Sequence, residues 1–282
     1  MRIGTLLLCG VLASAAATTR LAAQEKRDDE APPRDLSKLV EPTQKVVAAV
    51  VEAGKKNQQL PAANAPGAKP PFRREKDELT AYYFREAALA AQKLPAEQAA
   101  PAYLLGLGIA LDDSDLMRKN FVTRGFWAKV ESDDARKGRL AVLGEPTMRG
   151  RHDLCQHFVV SGALTVMLGP KYAENAGIVK ELMDSRDPDN GFSFNDLSAD
   201  LAGVAFAVKL LDTPKQLGRV AESFAVADYT IEPAYKPEGL PAKEFAKMYG
   251  SVSDERFLAK VEEIRTKLRE RPGFMKPKEE KP

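Results

Sequence analysis

Only two histidines occur in this 282-residue chain, His152 and His157, and the second sits in a stretch whose other polar residues recur at helical spacing. In "RHDLCQHFVVSGALTVMLG" (151–169), residues Asp153, His157 and Ser161 fall four apart, so a helix would stack them on one face with Leu164 and Leu168. In "PKYAENAGIVKELMDSR" (170–186), Glu174, Gly177, Glu181 and Asp184 share one edge beside the apolar Ile178 and Leu182. In "SFNDLSADLAGVAFAVKLL" (193–211), Asp196, Asp200, Gly203 and Ala207 run alongside the apolar face of Leu197, Leu201, Val204, Val208 and Leu211. Each segment therefore carries an acidic or imidazole stripe at the margin of an apolar face. In two of them a glycine, Gly177 or Gly203, stands in the stripe and permits close approach of a neighbour. Packed as consecutive antiparallel helices, the three would bring Glu181, Asp184, Asp196 and Asp200 towards His157.

One imidazole among several carboxylates suits a divalent cation, because nitrogen and carboxylate oxygen both ligate zinc, manganese or iron. His157, Asp153, Glu181 and Asp200 are the expected ligands. The same groups could instead form an acid–base pair in which a carboxylate tunes the histidine. A purely structural origin competes with both. Asp153 with Gln156, and Ser193 with Asp196, have capping-box spacing, and Lys180 and Arg186 stand ready to pair with Glu181 and Asp184. Asp200 resists that account best, since it lies beyond the first turn and has no basic residue at i±3 or i±4.

The elements that must hold these residues are helical. Helical periodicity runs through 36–53, 76–93 and 96–111, and returns at 215–225, 242–249 and 254–269, where Phe257, Val261, Ile264 and Leu268 form a stripe. Pro95 separates the second and third of these, and Gly169-Pro170 separates the first two helices of the trio. No alternating strand pattern emerges. The expected fold is all-α, an irregular helical bundle around a buried three-helix core at about 154–211.

Within it, residues 24–75 read as a charged and Pro/Ala-rich linker bearing one helix, 76–270 as a single helical domain, and 271–282 as a disordered basic tail. Residues 116–150 and 225–250 read as covers of the core, the latter alternatively as a docking surface. Residues 1–23 have the basic start, apolar run and small residues of a signal peptide, so the chain is expected to be exported, periplasmic or secreted. An uncleaved N-terminal membrane anchor is the alternative.

Removing residues 1–23 reduces the 42 basic residues by Arg2 and Arg20 to 40, equal to the 40 acidic ones. Such a neutral chain argues against nucleic-acid binding. Cys155 is then the sole cysteine, so no internal disulfide is expected, and no transmembrane segment remains. Other motifs fail. "DPDNGFSFNDLS" (187–198) lacks a calcium loop's final glutamate. No Gly-x-Ser-x-Gly elbow exposes a serine nucleophile, and no Gly-rich phosphate loop follows a strand.

The motifs "DLCQHF" (153–158), "KELMDSR" (180–186) and "FSFNDLSADLAG" (192–203) together resemble the VanZ-like and related small envelope lipoprotein families. These carry Asp-x-x-x-His-Phe, a central Glu, and Asp-x-x-x-Asn-x-x-Gly. The resemblance spans about fifty residues and implies a helical, envelope-located protein with a polar constellation at Asp153, His157, Glu181, Asp196, Asp200 and Gly203. Asp200 stands where those families often have Asn. Two functions are left open. One is an exported helical envelope protein whose His/carboxylate cluster is structural or ligand-binding, with an envelope component as partner. The other is a divalent-metal-dependent hydrolase.

Overall fold

A computed structural model describes residues 36–275; 68% of these described residues are helical and none of them forms a strand. After a 3-10 turn at Leu36–Leu39 come helices α1 (Val40–Gln58), α2 (Lys76–Ala91) and α3 (Ala96–Ala110). Three short helices follow, α4 (Leu116–Lys119), α5 (Arg124–Val130) and α6 (Asp133–Leu143). The trio is α7 (His152–Leu168), α8 (Pro170–Asp184) and α9 (Phe194–Asp212). The chain closes with α10 (Gln216–Ser223), α11 (Val226–Tyr229), α12 (Ala242–Tyr249) and α13 (Glu255–Arg269). The all-α expectation holds. No helix is long and apolar enough to cross a membrane among the described residues. The expected signal peptide, residues 1–23, lies outside them.

Helix α7 is central because its sequence is apolar on nearly every side. It packs against α9, α3 and α8, and Cys155, Phe158, Val159, Ala163 and Val166 are all buried. The core centres on an aromatic cluster in which Phe84 of α2 and Phe206 of α9 contact each other and both contact Phe158 of α7 and Phe224. Helix α8 is more peripheral than a core helix of a trio should be. Only Ala173, Gly177 and Glu181 of it are buried, and α3, buried throughout from Ala99 to Ala110, takes the central place instead.

Two segments are more ordered than composition suggested. Helix α1, read as part of a linker, belongs to the bundle: Val46 and Val50 are buried, and the helix packs on α2 and α3. The turn-rich stretch after it is tied back by Asn57, whose amide exchanges two hydrogen bonds with the Arg74 backbone at 2.8 and 2.9 Å. In the tail, residues 271–275 are also packed. Phe274 meets the Tyr229 ring edge-on, and Lys209 donates to the Gly273 carbonyl at 2.6 Å. Low apolar content misled here because each segment needs only one or two anchors on a surface already built.

Residues 116–150 are the helix-and-loop cover expected. Arg139 is buried and bonds Glu131 at 2.7 Å and the Ala110 carbonyl at 2.9 Å, which pins the cover to the end of α3. The loop entering α7 is held by Asp77 of α2, which accepts from Thr147 Oγ1 and from the amides of Arg149 and Gly150. That anchor sets where α7 begins. Residues 225–250 also cover the core, with Tyr235, Leu240 and Phe245 buried.

Candidate functional site

The site forms where α7, α8 and α9 converge. Two close approaches make the convergence possible. At Gly203 of α9 a Cβ would lie 2.1 Å from the Phe158 carbonyl oxygen of α7, so only glycine lets those backbones meet. At Gly177 of α8 a Cβ would lie 2.6 Å from Asp200 Oδ2. Both glycines do what their place in the stripes suggested.

His157 is 9% exposed and is surrounded by carboxylates from the other two helices. Its Nδ1 lies 3.1 Å from Asp200 Oδ1. On the other side of the ring, Nε2 lies 3.4 Å from Asp196 Oδ2 and 3.9 Å from Glu181 Oε1. Ser161, one turn along α7, donates to Asp200 Oδ1 at 2.6 Å. Its hydroxyl therefore serves the aspartate across the interface and is not placed as a nucleophile activated by the histidine. Asp200 is 3% exposed, and its second oxygen, Oδ2, is buried without a hydrogen-bond partner.

Glu181 is wholly buried and its two oxygens have different duties. Oε2 accepts the Ser193 backbone N–H at 3.0 Å, which locks the carboxylate to the start of α9. Oε1 faces His157 and accepts from Lys180 Nζ at 3.0 Å. Ser193 in turn caps α9, its hydroxyl accepting the Asp196 N–H at 3.1 Å, so that capping pattern is realised. Asp153 makes no corresponding cap. The residue before α7 is Arg151, and it draws Asp153 to itself at 2.5 Å while also reaching Asp196 at 2.7 Å and Glu238 at 2.9 Å.

The structure thus gathers His157, Glu181 and Asp200 so that one ligand atom from each lies within 4.8 Å of the others, with Asp196 against the ring. Asp153 and Asp184 do not join. Asp153 is half-exposed on Arg151, and Asp184 accepts Lys180 Nζ at 2.7 Å on the rim. Asp153 is therefore withdrawn as a ligand: the arginine two residues before it offers a nearer charge than the histidine a turn ahead. Three participants went unread in the sequence. Arg151 had no periodic signal, the Ser193 amide is backbone, and Glu238 arrives from a turn far along the chain. Glu238 also accepts from Ser193 Oγ at 2.9 Å and from the Asn195 amide.

The charges explain one another. Burial opposes protonation of His157, but Asp200 and then Asp196 outweigh it and push the ring up to about 10. Burial raises Glu181 to about 7 against the pull of Lys180 and His157. Asp196 is also buried, yet His157, Arg151 and Ser193 hold it below the usual carboxylate range. Lys180 is raised, because Glu181 and Asp184 overcome the cost of its partial burial. Cys155 stands apart: burial pushes its thiol up to about 12, leaving it an inert packing residue.

No family model, curated protein or solved structure matches the chain.

Proposed function

We propose that this protein binds a divalent cation at the junction of α7, α8 and α9, and that His157, Glu181 and Asp200 hold it with Asp196 adjacent. One observation carries this reading. An imidazole and two carboxylates from three different helices lie within ligation reach of one another, and Asp200 Oδ2 is buried with nothing bonded to it. A buried carboxylate oxygen without a partner is costly, and a cation is the partner that suits it. The mixed nitrogen and oxygen donors suit Mn²⁺, Fe²⁺ or Zn²⁺ better than a thiolate-seeking ion.

The arrangement favours binding over hydrolysis. Catalytic metal sites keep a position open to water and substrate, whereas Glu181 is 0% and Asp200 3% exposed. The cation would thus clamp three helices rather than turn over a substrate. The N-terminal pattern and the VanZ-like resemblance support an envelope setting for such a protein.

The test is metal analysis of the purified protein, followed by thermal melting with EDTA and then with added Zn²⁺ or Mn²⁺. An ion present at a hundred times its Kd adds ~2.7 kcal/mol. At about 2–4 °C per kcal/mol for a domain of this size, that raises Tm by roughly 5–10 °C. Asp200→Asn should abolish the rise. Binding should also strengthen from pH 6 to pH 8, since His157 must give up its proton to ligate. A melting curve indifferent to EDTA and to both ions would refute the proposal.

A further inference from the structure

Glu181 Oε1 is the oxygen of that residue free to meet a metal, because Oε2 is committed to the Ser193 amide at 3.0 Å. Yet Oε1 already has a cation on it. Lys180 Nζ lies 3.0 Å away, and the same ammonium lies 2.7 Å from Asp184 Oδ2, one helical turn further along α8. The lysine bridges two carboxylates of unlike surroundings. Glu181 is fully buried inside the site, while the Asp184 side chain is about one-third exposed at its edge. The Lys180 side chain is itself one-third exposed, so its head can leave the inner carboxylate without crossing the core.

Resting on the cation-binding reading above, we propose that Lys180 is the site's tethered competitor: it neutralises Glu181 in the metal-free protein and turns outward onto Asp184 when a divalent ion takes Oε1. Asp184, which does not reach His157, thereby acquires a role as the lysine's second seat. The exchange replaces one positive charge on a buried carboxylate with two. A monovalent ion gains nothing by it, since it only substitutes for an ammonium that is already in place. Lys180 is thus a positioning residue that sets how tightly, and for which charge of ion, the site closes.

The experiment is calorimetric titration of the full chain with Zn²⁺ and with Mn²⁺, for wild type and for Lys180→Met, Lys180→Arg, Asp184→Asn and the Lys180→Met/Asp184→Asn pair. Circular dichroism confirms that each is folded, and Lys180→Gln substitutes if the methionine variant is not. Removing the competitor should tighten binding about tenfold or more, and arginine should restore affinity close to wild type. Asp184→Asn should weaken binding severalfold in the wild-type background and change it little once Lys180 is gone, the coupling expected of a residue acting through the lysine. Equal affinities for wild type and Lys180→Met overturn it and leave the cation site standing. No binding by either overturns both.

Discussion

If His157 is held as an imidazolium by its carboxylates, metal-free protein must lose stability as pH rises through the range in which that proton leaves. The group's ordinary value is 6.5 and its folded value is about 10. The folded chain therefore binds the proton more tightly, and the stabilisation is complete below about pH 6.5 and disappears on the way to pH 10. At ~1.4 kcal/mol for each tenfold gain in proton affinity, the interval corresponds to a ceiling of about 5 kcal/mol. Relaxation and water entry reduce that, and ~3 kcal/mol, the lower end of what breaking a buried ion pair costs, is the expected change. The assay is urea unfolding in EDTA at pH 6, 8 and 10, on wild type and His157→Gln. Other groups that titrate over this range do so in both proteins, so the difference between the two isolates His157. That difference should shrink by about 3 kcal/mol between pH 6 and pH 10. A difference that stays constant would mean that the ring is neutral in the fold, and the account of its surroundings would fail.

Glu181 should produce a second, lower window with the same sign. Its folded value of about 7 lies above the ordinary 4.5, so stability present below pH 4.5 is lost as pH climbs to 7; the loss should be on the order of 3 kcal/mol at most and absent from Glu181→Gln in the same urea series. The glycines predict opposite signs for one substitution. Gly203→Ala forces a methyl to within 2.1 Å of a carbonyl oxygen and should lower stability by ~2–3 kcal/mol. Gly138→Ala in α6, with nothing within 4 Å, should raise it by ~0.5–1 kcal/mol; thermal melts that rank the two alike would contradict the close packing of α7 on α9.

Much of the architecture could be read without coordinates. The helices at 76–91, 96–110 and 242–249 follow from apolar spacing, Pro95 parts the first two, and Gly169-Pro170 parts α7 from α8 as its chemistry requires. The irregular 116–143 region yielded less. Its helices are short, and its order depends on contacts such as Arg139 with Glu131, partners whose meeting no periodicity announces.

For the site, sequence determined which residues stand together on each helix, and tertiary structure decided what became of them. The edge of α8 makes the point. Glu174 goes to Arg265 of α13 at 2.6 Å, Gly177 admits the Asp200 side chain, Glu181 is sealed beside His157, and Asp184 stays on the rim with Lys180. Helical periodicity assigns each side chain an angle about the axis, which is why all four could be placed on one edge. It assigns no depth, because depth depends on where along its length a helix crosses its neighbours. That crossing is set by contacts between distant segments, such as Gly177 of α8 on Asp200 and Gly203 of α9 on Phe158.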